Sequence, residues 1–227
     1  MDLTVVIPCL NEAKTIAVCI NKCIKVFDKL GISGEVLVVD NGSDDNSAEI
    51  AKENNARVEY CKEKGYGNAL QYGFKHSNGK YILFADGDNT YDFLEIPLLW
   101  EKLTPDTDMV TGSRLRGNIE KGSMPFLNRY LGTPVLTFVL NLLYGTKLSD
   151  SQCGMRLMKK ECLEKIEFKT TGMEFASELF VEFVKHRFKI IETPISIYND
   201  IEGRIPHLRP WQDGWRHLTY LIKAKFQ

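Results

Sequence analysis

No stretch of the 227 residues reaches the ~20 consecutive apolar residues that a membrane-spanning helix needs. The nearest run, 130–146, is uncharged but is interrupted by Gly132, Pro134, Asn141 and Gly145, and reads as a core or interfacial helix. A signal-peptide layout is missing too: Asp2 opens the chain, and Pro8 with Asn11 and Glu12 breaks the first apolar run. No excess of either charge exists, since 29 Lys and Arg meet 30 Asp and Glu, which excludes a global basic field for nucleic acid. Neither a G-x-x-x-x-G-K-[ST] phosphate loop nor a G-x-G-x-x-G fingerprint occurs, which argues against P-loop and dehydrogenase readings. His76, His186, His207 and His217 are scattered over predicted helical or loop surfaces and form no Ser-His-Asp or Cys-His layout. The six cysteines make no C-x-x-C pair, and several lie inside apolar stretches. They are expected to be buried, reduced thiols of a cytosolic protein.

What is present is an alternation of strand and helix. Leu3 to Pro8 is a β-branched run suited to a strand covered on both faces. A helix capped by Asn11 or Thr15 is expected to reach Leu30 and stop at Gly31. Glu35 to Asp40 is a second strand, and Ser43 or Asp44 opens a helix through about Asn54. Arg57 to Tyr60 is a third strand, Asn68 to Ser77 a helix, and Tyr81 to Ala85 a fourth strand. Further on, Met109 to Gly112 and Lys189 to Pro194 read as strands, and Pro125 to Leu143 and Phe175 to His186 as helices. With no repeat or linker, the pattern predicts one α/β domain with a doubly wound, mainly parallel sheet. Phe126, Tyr130, Val135, Phe138 and Leu142 are expected in the core, with lipid as the alternative for some of them. From Arg204 onward, Arg204, Arg209, Arg216, Lys223 and Lys225 face a single acid, Asp213, with Trp211, Trp215, Tyr220 and Phe226 interleaved. That composition suits a membrane-surface contact or a solvated last helix with its aromatics in the core, and the sequence leaves both open.

Chemistry concentrates at strand ends, where doubly wound sheets bind ligands. Asp86-Gly87-Asp88 directly follows a buried strand, and two carboxylates flanking a glycine can converge on a hard divalent cation. Asp40 ends the second strand, where it can accept hydrogen bonds from a base or ribose near helix amides that favour anions. Lys64-Gly65-Tyr66-Gly67-Asn68 is a glycine-rich turn with a lysine to meet phosphate.

Taken in order, Val5-Val6-Ile7-Pro8-Cys9-Leu10-Asn11-Glu12, Val39-Asp40-Asn41-Gly42-Ser43-Asp44-Asp45, Lys64-Gly65-Tyr66-Gly67 and Asp86-Gly87-Asp88 resemble the family-2 glycosyltransferases of GT-A fold. Gly112-Ser113-Arg114, Arg129, Ser151-Gln152-Cys153-Gly154-Met155-Arg156 and the stretch from Gly172 through Leu179 resemble the dolichyl- and undecaprenyl-phosphate sugar synthases. The resemblance covers nearly the whole chain, with a nucleotide-sugar half at 1–110 and an acceptor half at 111–227 that holds an amphipathic helix and a basic tail. It implies a donor site at Pro8, Asn11, Glu12, Asp40, Lys64, Gly65, Asp86 and Gly87. Asp40 would hold the base, and Asp86 and Asp88 a magnesium or manganese ion. Arg114 and Arg129 would hold the acceptor's phosphate, in keeping with the planar fork of arginine. Asp88, Arg114, Arg129 and Glu178 are thus the expected catalytic residues. Two departures stand out: Thr90 replaces a glutamine that relatives often use as a metal ligand, and Arg204 is the one evident phosphate partner in Glu202 to His207.

The implied reaction is an inverting transfer of a hexose, from UDP-glucose first and GDP-mannose second, to a polyprenyl phosphate. Such an acceptor is already anionic and needs no general base. The setting would be the cytoplasm, peripherally at the inner membrane surface, with no nucleic acid involved. The alternatives are a family-2 transferase acting on a hydroxyl, with Glu178 or Glu174 as base, and an inactive nucleotide-sugar-binding adaptor. A nucleotidylyltransferase is disfavoured because Pro8 to Lys14 contains no glycine.

Overall fold

The computed structural model describes residues 1–200 and 210–226. The expectations for Arg204, His207, Arg209 and the 202–207 segment lie outside the described residues.

The N-terminal half follows the sequence pattern closely. Strands β1 (Leu3–Cys9), β2 (Gly34–Asp40), β3 (Arg57–Tyr60) and β4 (Tyr81–Phe84) are all parallel, joined by helices α1 (Ile16–Leu30), α2 (Ser47–Glu53) and α3 (Tyr66–His76). Period-two alternation sorts β1 between the two faces. Leu3, Val5 and Ile7 pack into one core with Ile16, Cys19 and Ile20 of α1, while Val6 joins Leu70 and Phe74 of α3 in another. Register places Cys9 opposite Asp40, so β1 and β2 run out at one level. Helix α2 starts later than expected because Ser43 and Asp45 are used elsewhere. The Asn11 N–H donates to Ser43 Oγ at 3.0 Å and the Ala13 N–H to Asp45 Oδ2 at 3.1 Å, tying the β1 exit to the β2 exit.

After a 3-10 turn at Phe93–Glu95 come α4 (Ile96–Trp100), β5 (Met109–Ser113) and a π-helical turn at Asn128–Gly132 leading into α5 (Thr133–Tyr144). Then follow β6 (Arg156–Lys159), α6 (Lys160–Leu163), α7 (Phe175–Lys185), β7 (Ile190–Pro194) and α8 (Pro210–Lys225). The sheet order is β3-β2-β1-β4-β6-β5-β7, with β6 antiparallel to both neighbours. Strand β6 and the helical turns over 93–100 were not anticipated from the sequence. All six cysteines are buried free thiols.

Two expectations about side-chain placement are corrected. Phe126, Tyr130, Val135, Phe138 and Leu142 are exposed, Phe126 by 78% and Leu142 by 69%, while Leu136 and Leu140 take the core positions. Trp211 and Trp215 face outward from α8 and Phe226 just beyond it is exposed, so of the two readings left open the one with these aromatics in the core does not hold; the inner face of α8 carries Asp213, His217, Leu221 and Ala224. His217 is therefore buried rather than on the surface, bonded through Nδ1 to Ser177 Oγ at 2.7 Å. The Tyr144 hydroxyl donates to the Leu221 carbonyl at 2.9 Å and joins α5 to α8. Among the described residues no helix is long and apolar enough to cross a membrane.

Candidate active site

The exits of β1 and β4 and the N-terminal end of α3 surround a cleft of about 480 Å³. Pro8, Glu12, Asn41, Lys64, Gly65, Asp86, Gly87 and Asp88 all line it, so residues from four separate sequence motifs meet in one place. Asp86 and Asp88 follow β4 directly, and their setting is specific. The Tyr66 hydroxyl donates to Asp86 Oδ1 at 3.0 Å. Burial above all, and then the Asp86 charge, push the Tyr66 phenol well above its ordinary pKa, so it stays a donor. On the other side, a Cβ at Gly154 would lie 2.8 Å from Asp86 Oδ2 and 3.1 Å from the Tyr91 ring, which explains why a glycine stands there. The Gly154 N–H donates to the Tyr91 hydroxyl at 2.8 Å and fixes that loop.

Asp88 is oriented by Thr90. Both the hydroxyl, at 2.7 Å, and the backbone N–H, at 3.0 Å, donate to Asp88 Oδ1. Thr90, which stands where relatives often carry a glutamine, thus acts on the aspartate. Among the described residues no group of three or more His, Cys, Asp or Glu side chains could enclose an ion. Two hard carboxylates on one turn are what a magnesium-type ion takes from protein when phosphate oxygens supply the rest, so the donor set fits magnesium or manganese only with a ligand's help.

Lys64 does not stand ready for phosphate alone. Its Nζ donates to the Asn41 carbonyl at 2.9 Å and to that of Gly42 at 3.2 Å, clasping the β2 exit. Asp40 is buried, accepts from the Gly42 N–H at 3.1 Å, and does not line the cleft; its neighbour Asn41 does. Asn11 is also outside the lining and accepts the Asp44 N–H at 2.9 Å.

Arg114 and Glu178 have other work than expected. Arg114 sits 36 residues from Asp150 in sequence and grips it with Nε at 2.7 Å and Nη2 at 2.9 Å. Burial opposes charge on both groups, yet the Arg114 guanidinium holds Asp150 below the usual carboxylate range. The fork assigned to acceptor phosphate is engaged by this carboxylate, away from the cleft. Glu178 is buried and accepts the backbone N–H groups of Lys169 and Thr170, each at 2.8 Å. A carboxylate so placed outside the cleft is not positioned as a base, and that expectation is corrected. Arg129 lies on the π-helical turn with its guanidinium 5.4 Å from the Tyr130 ring centre, outside the cleft lining and without an ion pair among the described residues.

The sequence reading missed Tyr66, Met173, Gln212, Asp213 and Arg216 as cleft residues. Tyr66 was in view only as part of the glycine-rich turn Lys64 to Asn68, with no role of its own. For α8 a signal existed: Asp213 is the lone acid of the basic segment and recurs with His217, Leu221 and Ala224 at helical spacing.

Comparison with known proteins identifies the family. The model of glycosyl transferase family 2 matches residues 4–167. The low-salt glycan biosynthesis hexosyltransferase Agl6 of Haloferax volcanii is 43% identical over 221 residues, which are 97% of this chain and 53% of that protein. The dolichyl-phosphate beta-glucosyltransferase of Saccharomyces cerevisiae is 30% identical, across 88% of this chain and 68% of its own length. The chain therefore spans about half the length of Agl6. Glucosyl-3-phosphoglycerate synthase from Mycobacterium tuberculosis, solved with Mn2+, UDP-glucose and phosphoglyceric acid, superposes with a TM-score of 0.78 at 20% identity. That superposition covers 99% of this chain and 80% of the other, and it shows a shared GT-A fold. With a family model across residues 4–167 and a relative 43% identical over 97% of the chain, this chain, which spans about half of that relative, belongs to glycosyl transferase family 2.

Proposed function

We propose that this chain transfers a hexose, with inversion, from a nucleotide diphosphate sugar to a polyprenyl phosphate presented at a membrane surface. The observation that carries the donor half is the convergence of Asp86 and Asp88 on the cleft, each held by its own hydrogen-bond donor. Magnesium or manganese would be held by these two carboxylates and, when bound, supplies Lewis-acid stabilisation of the departing diphosphate. The remaining residues orient the donor. Lys64 and Asn41 close the loop beside it, Pro8 and Gly87 let backbone approach, and Arg216 reaches the cleft from α8 with a side chain 53% exposed. UDP-glucose is the preferred donor and GDP-mannose the second, because a relative is named a beta-glucosyltransferase and a structural neighbour binds UDP-glucose.

The lipid acceptor is supported by the outward apolar face of α5 and its π-helical lead-in. Phe126, Tyr130, Leu131, Phe138 and Leu142 lie on it, with Arg129 among them. A cation amid exposed aromatics suits the headgroup level of a bilayer, where a polyprenyl phosphate would be met. The sequence-level base candidates Glu174 and Glu178 do not line the cleft, in keeping with an acceptor that is already anionic. This reading places the chain peripherally at the cytoplasmic membrane face.

One observation favours a second reading. Asp213, 5% exposed, lines the cleft and is a carboxylate that could deprotonate a hydroxyl acceptor. The test is transfer from labelled UDP- and GDP-sugars to undecaprenyl and dolichyl phosphate, with manganese, magnesium or chelator. Metal-dependent lipid product that vanishes in Asp88→Ala and falls steeply in Arg129→Ala is expected. Donor hydrolysis without lipid product would remove the polyprenyl phosphate and turn attention to hydroxyl acceptors and Asp213.

A further inference from the structure

Glu178 lies in the first turn of α7, 1% exposed, and no cation pairs with it among the described residues. A buried carboxylate without a counter-charge is costly unless hydrogen bonds replace its hydration. Here three donors do so, all from the short strap that precedes α7. Lys169 N–H meets Oε1 at 2.8 Å, and Thr170 N–H meets Oε2 at 2.8 Å together with the Thr170 hydroxyl.

The strap is attached in turn to the opening of α3. The Thr171 carbonyl accepts from the Gly67 N–H at 2.9 Å and the Asn68 N–H at 3.3 Å, and Gln71 Nε2 donates to the Thr170 carbonyl at 2.8 Å. The helix-opening amides are thus capped by the strap. The fit leaves no slack: a Cβ at Gly65, where φ is +134°, would lie 2.3 Å from the Thr171 oxygen, and one at Gly67 would lie 2.7 Å from the Thr170 oxygen. Between these two glycines stands Tyr66, whose hydroxyl holds Asp86. The far end of the strap, Gly172 and Met173, forms part of the cleft wall.

We propose that Glu178 is a positioning residue for the donor site. It fixes the strap, the strap fixes the Lys64–Asn68 turn, and that turn sets Tyr66 against Asp86. The inference rests on reading the cleft as the donor site. Its content is a mechanical link from α7 to the metal-binding turn, distinct from any proton transfer by Glu178.

Glu178→Gln keeps size and shape but replaces one acceptor oxygen with an NH2 group facing backbone donors. Three readings of this variant and of Thr170→Val, which deletes only the hydroxyl, decide the matter. They are hydrogen exchange over 64–74 and 168–175, calorimetric binding of UDP and GDP with manganese, and donor KM against kcat. The expected result for Glu178→Gln is faster exchange in both segments, tenfold or more weaker nucleotide binding and a raised donor KM. The acceptor KM stays unchanged, and Thr170→Val falls between it and the wild type. Should Glu178→Gln fail to fold, Thr170→Val alone carries the test: exchange confined to wild-type rates in 64–74 with wild-type binding overturns the link. A fall in kcat with nucleotide binding and exchange intact also overturns it, in favour of a base. Absence of nucleotide binding by the wild-type protein is a different failure, that of the donor reading itself.

Discussion

The Tyr66 hydroxyl donates to Asp86 Oδ1 across 3.0 Å, joining the first residue of α3 to the carboxylate that opens the Asp86–Asp88 turn. A hydrogen bond to a charged group contributes about 1.5–3 kcal/mol, and ~1.4 kcal/mol is tenfold in affinity. Tyr66→Phe is therefore expected to lower the thermal midpoint by several degrees and, by freeing Asp86, to weaken manganese-dependent nucleotide binding about tenfold or more. Because burial keeps the phenol protonated well past its ordinary range, this contact should not be lost at mildly alkaline pH. Calorimetry at pH 7 and pH 9 checks both statements, and wild-type affinity in the variant would show that Asp86 needs no such support.

Gly154 faces Asp86 from the opposite side. A Cβ there would sit 2.8 Å from Asp86 Oδ2 and 3.2 Å from the Tyr91 hydroxyl, so either the carboxylate or the ring must move. Gly154→Ala is expected to cost about 1–3 kcal/mol of stability through overpacking. Activity should fall by more than tenfold at saturating donor and recover partly at high manganese. Denaturant unfolding with a metal titration of activity measures the two effects separately, and unchanged metal dependence would mean that the ring yields instead of the aspartate.

How much of this was legible in the sequence depends on the range of the interaction. The first four strands and their exits were readable because β-branched runs end in Asp, Asn and Gly within a few residues. Strand ends put Asp40 and the Asp86 to Asp88 turn on one side and the family resemblance added Pro8, Glu12, Lys64 and Gly65; all of these but Asp40 share one cleft. Strand β6 was not readable. Arg156-Leu157-Met158-Lys159 looks like a loop motif, yet Arg156 is wholly buried. Its guanidinium donates to the carbonyls of Cys153, Ser151 and Ala176 and stacks 4.1 Å from the Phe180 ring centre. Helix α5 carries its few polar residues, Thr133, Thr137 and Asn141, on one stripe, and Thr133 and Thr137 face inward while Phe138 and Leu142 face out, so its polarity pattern points the wrong way. The partners of Arg114 and Glu178 are fixed by tertiary contacts that no local pattern encodes.

Arg114 and Asp150 form such a contact, and it yields a stability prediction. Removing one member of a buried pair leaves an uncompensated charge, at a cost of about 3–5 kcal/mol. Arg114→Ala should destabilise the protein on that scale, visible as a large fall in the denaturation midpoint. Arg114→Met with Asp150→Leu should regain only part of it, since the apolar pair removes both buried charges but leaves the Arg114 and Gln152 N–H groups without their Asp150 acceptor. An Arg114→Ala protein of wild-type stability that fails only with phosphate acceptors would restore this arginine to the acceptor site.

His217 gives the pH dependence. Burial, reinforced by the nearby Arg156 charge, lowers its pKa from 6.5 to about 4. The unfolded chain therefore binds a proton that the folded chain refuses between those two values. Stability from this group is complete above pH 6.5, declines as the pH falls through that window, and levels off below about 4. At ~1.4 kcal/mol per pKa unit the loss amounts to roughly 3 kcal/mol. Urea unfolding of the wild type and of His217→Gln at pH 7 and pH 5 isolates the contribution. The variant should be less stable at pH 7, from loss of the Ser177 contact, and should lose less on acidification. Equal slopes in the two proteins would assign the acid sensitivity elsewhere.

The outward face of α5 carries the membrane half of the proposed function. Phe126 is 78% exposed and Phe138 64%, and both lie on the face opposite Leu136 and Leu140, so replacing them leaves the core untouched. Moving a Phe side chain from water into an apolar phase contributes about 1.5–3 kcal/mol. Phe126→Asp with Phe138→Asp should therefore lower binding to anionic phospholipid vesicles by two orders of magnitude or more, with unchanged thermal stability and nucleotide binding. Transfer to polyprenyl phosphate in vesicles should fall in parallel, while transfer to a short-chain acceptor in detergent is retained. Arg129→Ala should behave in the opposite way, sparing most vesicle binding and reducing transfer in both formats, because the role proposed for it is to meet the phosphate. If the double aspartate variant binds vesicles as the wild type does, the exposed aromatics serve some other partner. The polyprenyl phosphate reading would then stand on Arg129 and the relatives' names alone.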